Sequence, residues 1–286
     1  MMERTGDDKH ARDAGEDLVL DDQHLVVIER LGYGVGKLSL NNPPLNLVTL
    51  ELTQQLMESL DELERDDSVR VVVVTGAGDK AFCVGSDIKE FPAVRDRVVE
   101  KKLAKENEAF DRLEFLSKPV IAAIEGMAYG GGCEISMACD LRIMADDAKI
   151  GLPEIKLGVV PGSGGLFRLP RLVGPARAME LMYLGKFLNA HEAERIGLVN
   201  EVVPAGEAVS RAVDLGQEIA RSPKAGLAAI KQAVRESRVL SHDAALQLTL
   251  QLSEQLFKTT DCEEGIEAFF QKREPKFEGA PDKEAP

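Results

Sequence analysis

Three short apolar runs constrain this chain more than any other feature. Val69–Thr75, Val120–Ile124 and Leu141–Ala145 are apolar almost throughout and do not alternate with polar residues. A strand with one wet face alternates with period two, so unbroken runs of this length predict strands covered on both sides. The first two lead into glycine-containing loops, Gly76–Asp87 and Gly126–Gly132. The third passes through Asp146 and Asp147 into Lys149–Leu152 and then Pro153-Glu154. Repeated strand, loop and helix units of this kind predict α/β layering.

The flanking segments fit that plan. Leu25–Ile28 and Lys37–Leu40 bracket the Gly32–Gly36 turn and read as a hairpin. From about Leu47 to Leu63, Leu52, Leu56, Leu60 and Leu63 recur at helical spacing. After about Val203-Pro204 the strand signals stop. Ser222-Pro223 predicts a serine-capped helix with proline at its first position, and Thr260–Glu263 has capping-box spacing. Leu246, Leu248, Leu250 and Leu252 alternate, yet the length of the segment after Ala244-Ala245 favours a helix. The expected division is an acidic disordered tail at 1–22, a core at 23–204, a helical oligomerisation region at 205–277 and a flexible tail at 278–286.

Charge and composition remove several function classes. With 286 residues and a net charge of −14, the chain lacks the clustered Lys and Arg that phosphate tracts or anionic membranes require. No apolar run approaches the roughly 20 residues of a membrane span. Four cysteines and four histidines form neither CxxC nor His-x3-His, which argues against a disulfide scaffold or zinc site and fits a reducing cytoplasm. Gly76–Ala81 formally matches a dinucleotide fingerprint, but Phe82–Gly85 continues as apolar loop or strand where a helix should open. No phosphate-loop motif is present, and Ser163 lacks the first glycine of a nucleophile elbow.

One motif points to chemistry. Gly130-Gly131-Gly132 precedes a helix-like segment carrying Glu134. Unshielded amides at a helix N-terminus form an anion site, although glycines chosen for tight packing, with Glu134 as a first-turn acid, explain the same residues. Phe82–Asp87 offers a second amide from a neighbouring loop, and the apolar surroundings of Glu154 should raise its carboxyl pKa. Two amides and two carboxyls are the parts needed for chemistry beside a carbonyl through an enolate.

At these residues the sequence resembles the crotonase (enoyl-CoA hydratase/isomerase) superfamily, closest to the hydratase subgroup. The resemblance is carried by Thr75–Glu90, Lys118–Glu134, Pro153–Gly158 with Pro161–Gly165, Ala193–Asn200 and Glu264–Arg273, spanning about Leu25 to Phe277. It implies a crotonase-type spiral of ββα units with a C-terminal helical trimerisation region, assembled as a homotrimer or homohexamer. It also implies backbone oxyanion donors at Ser86 and Gly131 and catalytic carboxyls at Glu134 and Glu154. Ser86, Asp87, Ile88, Lys89 and Gly131 would contact the acyl-CoA thioester, with Phe269 and Lys272 reaching CoA, the latter two from a neighbouring subunit. Keeping both glutamates favours reversible hydration of a trans-2-enoyl-CoA, with no cofactor beyond the CoA of the substrate and no metal. A Δ3,Δ2-enoyl-CoA isomerase, a hydratase of cyclic or branched acyl groups, and a non-catalytic or RNA-binding relative are the alternatives. The sequence departs from the hydratase pattern at Asn42–Leu47, Leu152 and Leu166-Phe167, which bears on the acyl pocket and not on the reaction class.

Overall fold

The computed structural model describes residues 24–281. The acidic 1–22 tail and the last five residues of the 278–286 tail lie outside the described residues. A hairpin opens the fold: β1 (Val26–Arg30) pairs antiparallel with β2 (Val35–Leu40), with Val26 opposite Leu40. Helix α1 (Leu50–Arg65) follows, starting three residues later than its apolar spacing predicts. Thr49 ends the preceding segment by accepting the Leu52 N–H through its hydroxyl.

Three units of one design come next. β3 (Val71–Gly76) turns into β4 (Ala81–Cys83), then α2 (Phe91–Val94) and α3 (Ala104–Phe115). β5 (Val120–Ile124) turns into β6 (Met127–Tyr129), followed by α4 (Gly131–Ala138). β7 (Leu141–Ala145) turns into β8 (Lys149–Gly151), a 3-10 turn at Glu154–Leu157 and α5 (Gly165–Val173). In each unit the first strand joins one sheet and the second strand another, which produces a ββα spiral. Helix α6 (Pro175–Leu184), β9 (Phe187–Asn189), α7 (Ala190–Arg195) and β10 (Glu201–Val203) complete the layers.

The large sheet runs β1-β2-β3-β5-β7-β10 and is parallel from β2 onward; the small sheet runs β4-β6-β8-β9 and is parallel through β8. Val71–Val74 and Val120–Ile124 are buried on both faces, as non-alternating runs require. Helix α8 (Ala208–Ala220) covers β3, β5 and β7. Its buried stripe is Ala208, Ala212, Gly216 and Ala220, four residues apart. A Cβ built on Gly216 would stand 3.3 Å from Val35 Cγ2, so small side chains let this helix lie close to the sheet.

Helices α9 (Lys224–Glu236), α10 (His242–Leu256) and α11 (Thr260–Gln271) form the C-terminal part. The alternating leucines lie within α10, as length favoured. Two helix starts in this part also differ from their predicted positions. Ser222 makes no cap: extended Pro223 occupies the cap position and its carbonyl accepts from Leu227 N–H, so proline stands one residue before the helix. Thr259, not Thr260, caps α11 by accepting from Cys262 N–H. Two adjacent threonines compete there, and only the first lies three residues before an amide it can reach. The four cysteines are free thiols, and no helix among the described residues is long and apolar enough to cross a membrane.

Candidate active site

The small sheet arranges the site. Its strands β4, β6 and β8 lie side by side and parallel, so their C-terminal ends face the same way. Ser86 follows the first end, Gly131 the second and Glu154 the third. Segments far apart in sequence therefore meet in one row, in the manner of α/β sheets that bind ligands beyond their carboxyl ends.

The first two ends are in backbone contact. Gly85 has φ +94°, and a Cβ there would stand 3.1 Å from Gly131 N. One on Gly131 would stand 3.7 Å from Ser86 N, and one on Gly132 would collide at 2.0 Å with Cys83 O. Gly130 turns into α4 with φ +53° and offers no capping side chain. Within the glycine run Gly132 serves close packing, while its neighbour Gly131 leaves an amide open. Among the described residues, nothing accepts from the Ser86 or Gly131 N–H. Two unpaired amides from adjacent loops, one at the N-terminus of a buried helix, are chemically able to receive an anionic oxygen.

Glu134 lies in the first turn of α4 and is 3 % exposed. Its Oε1 accepts from the N–H groups of Ser163 (2.9 Å) and Gly165 (2.8 Å). Gly164, with φ +108°, turns the chain so that both amides face one oxygen. Burial pushes the carboxyl up to about 8; the two amides oppose that rise, and the charges of Glu154 and Glu106 add to it. Glu154 opens the 3-10 turn with its Oε1 over Gly130, where a built Cβ would stand 3.2 Å away. Its Oε2 is the one buried side-chain polar atom without a partner among the described residues. Burial raises this carboxyl to about 7. A buried orphan acceptor costs free energy, which points to a ligand group or water as its working partner.

Other sequence-predicted residues are placed as follows. Asp87 caps the short Ile88–Glu90 turn by accepting from Lys89 N–H (3.0 Å), and Ile88 and Lys89 are exposed. Phe269 and Lys272 lie exposed at the end of α11, and no hydrogen bond or ring contact joins them to the Ser86 or Gly131 segments. The amides of Ser163 and Gly165 were missed as parts of the site. The sequence draws attention to Ser163 as a nucleophile candidate, whereas the Pro161–Gly165 run is the available signal for backbone donors. Ile155, Leu157, Val159, Val160 and Leu166 are large exposed apolar residues on the segments around Glu154 and Gly165.

Comparison with known proteins shows the family. The family model described as enoyl-CoA hydratase/isomerase matches residues 30–280. The short-chain-enoyl-CoA hydratase of Clostridium acetobutylicum is 38% identical over 255 residues, covering 89% of this chain and 97% of that protein. The crotonyl-CoA hydratase of Syntrophomonas wolfei is 36% identical over 241 residues, covering 84% and 93%. A crystal structure of an enoyl-CoA hydratase from Bacillus anthracis superposes with a TM-score of 0.86 at 37% identity, covering 90% of this chain and all of that one.

Proposed function

The chain belongs to the enoyl-CoA hydratase/isomerase family, and from that premise we propose that it hydrates trans-2-enoyl-CoA thioesters reversibly to 3-hydroxyacyl-CoA. The observation that carries this reading is the pairing of two open amides with two carboxyls raised toward neutral pH. The Ser86 and Gly131 amides would polarise the thioester carbonyl and hold the enolate oxygen as charge moves onto it. By analogy with other oxyanion holes each contributes on the order of 3–4 kcal/mol to the transition state.

Addition of water needs one carboxylate to take a proton and one carboxylic acid to deliver a proton to the α-carbon. We assign water activation to Glu134 and α-carbon protonation to Glu154. In the free site burial raises both carboxyls toward neutral pH, to about 8 for Glu134 and about 7 for Glu154. Bound thioester would separate them: Glu134 is already buried, whereas Glu154 still has solvent to lose, so added desolvation falls on Glu154 and raises it. The Ser163 and Gly165 amides meanwhile steady the Glu134 carboxylate.

Asp87, Ile88 and Lys89 would follow the thioester arm. Phe269 and Lys272 would meet CoA from a neighbouring subunit of a homotrimer or homohexamer. Exposed Phe257, Phe269 and Phe270 support such self-association. Free cysteines, three of them buried, fit a reducing cytoplasm. The reaction calls for no metal and no cofactor besides the CoA carried by the substrate, and the acidic charge gives no support to RNA binding. Loss of conjugated enoyl-thioester absorbance on adding crotonyl-CoA, and on adding longer or branched analogues, tests the reading. No loss with any of them, or full activity of Glu134→Gln, refutes it. Appearance of that absorbance from a 3-enoyl-CoA identifies the isomerase instead.

A further inference from the structure

Beneath the two halves of the site lies an ion pair that the mechanism above does not use. Lys102 and Glu106 stand one helical turn apart, and each is 1 % exposed. Lys102 Nζ donates to Glu90 Oε2 (2.7 Å) and to the Val48 carbonyl (3.2 Å), and forms an ion pair with Glu106 Oε1 at 3.1 Å. Val48 in turn brackets the oxyanion loop: its N–H donates to Gly85 O, and its carbonyl accepts from Asp87 N–H. The side chain of Glu106 spans two loops. Its Oε1 accepts from the Ser86 hydroxyl (3.1 Å), and its Oε2 accepts from the Ser163 hydroxyl.

These bonds form one continuous path. It runs from the open Ser86 amide through the Ser86 hydroxyl to Glu106, then through the Ser163 hydroxyl to the Ser163 amide that grips Glu134. Removing an ion pair from water costs free energy that its mutual attraction roughly repays, so stability alone is a weak reason for such a pair. Its geometry supplies another. An oxyanion hole and an acid–base group must hold a fixed separation, because small misplacements of reacting groups cost large factors in rate.

We propose that Glu106, seated by Lys102, is a positioning residue that fixes the oxyanion loop at Ser86 against the loop at Ser163 that holds Glu134. The proposal rests on the hydratase reading and extends it: the Ser86 side chain acquires a role, whereas sequence resemblance implied a use only for its backbone. Glu106 touches no reacting atom in this scheme and acts through both serines.

Steady-state hydration of crotonyl-CoA by the full chain tests it, using Ser86→Ala, Ser163→Ala, Glu106→Gln and the double variant Glu106→Gln/Ser163→Ala. Each serine variant deletes one hydroxyl and keeps its backbone amide, so folding is little disturbed. Expected are a fall in kcat of about fivefold for each serine variant and about tenfold or more for Glu106→Gln, with KM within about twofold of wild type. The double variant should lie within about twofold of Glu106→Gln, because both changes cut the same path. Serine variants with wild-type kcat, or effects of Ser163→Ala and Glu106→Gln that multiply, overturn the proposal while leaving the hydratase reading intact. If Glu106→Gln does not fold, the two serine variants decide alone. A wild-type chain inactive on every enoyl-CoA overturns the hydratase reading, and this proposal with it.

Discussion

Glu134 shows at the scale of one residue how burial ties stability to pH. An ordinary glutamate titrates at 4.5, whereas in the fold Glu134 is pushed up to about 8 by burial. Between those values the folded chain keeps a proton that the unfolded chain releases. Stability is therefore lost as pH rises from about 4.5 toward 8, the reverse of a salt-bridged carboxylate. Glu134→Gln keeps an oxygen for the Ser163 and Gly165 amides and removes the titration. Melting temperatures should show the variant more stable than wild type at pH 8, by on the order of 1–3 kcal/mol, with the gain gone near pH 4.5. A difference independent of pH would rule this out. The two glutamates and the glycine run were legible because their types are unusual for apolar surroundings. Ser163, Gly165 and Glu106 were not, because an ordinary loop and an ordinary Lys–Glu helix spacing look the same whether they face solvent or a buried carboxylate.

The elements divide in the same way. Strands β3, β5 and β7 could be read directly, since unbroken apolar runs have few other uses. The small sheet could not be assembled from sequence: β4, β6 and β8 have three residues each, too few to display a period. The starts of the helices after Ser222 and at Thr260 differ from the sequence reading by one residue, and that of α1 by three, because apolar spacing marks a face and not the capping residue. Thr259 and Thr260 provide a direct check, because only the Thr259 hydroxyl accepts from a first-turn amide. Thr259→Ala should lower stability by about 1 kcal/mol in urea or thermal unfolding, while Thr260→Ala should change it by less than about half that. Equal losses would return the cap to Thr260.

For the whole molecule the C-terminal helices raise the largest question. Helix α10 has no buried residue in the single chain, and Phe257, Phe269 and Phe270 are each at least 75% exposed. Apolar surface of this extent is expected to be covered by copies of the chain. Sedimentation velocity should find an oligomer for the wild type and a smaller species for Phe257→Ser/Phe269→Ser. A wild type that sediments as a monomer at micromolar concentration would refute that assembly. The net charge of −14 adds a constraint: long-range repulsion opposes association, so oligomers held by these aromatic faces should tighten as salt is added.

The row of strand ends has a consequence in time as well as in space. Strands β4, β6 and β8 begin at residues 81, 127 and 149, and the amides that grip Glu134 come from 163 and 165. No fragment ending before Gly165 contains every part of the candidate site, and no two of those strands are joined by a tight hairpin. Parallel pairings between distant segments form slowly, since each must close a long loop before its contacts repay the cost. During refolding, helical signal should return well before catalysis does, and a chain emerging from synthesis acquires its chemistry only after more than half of it has folded.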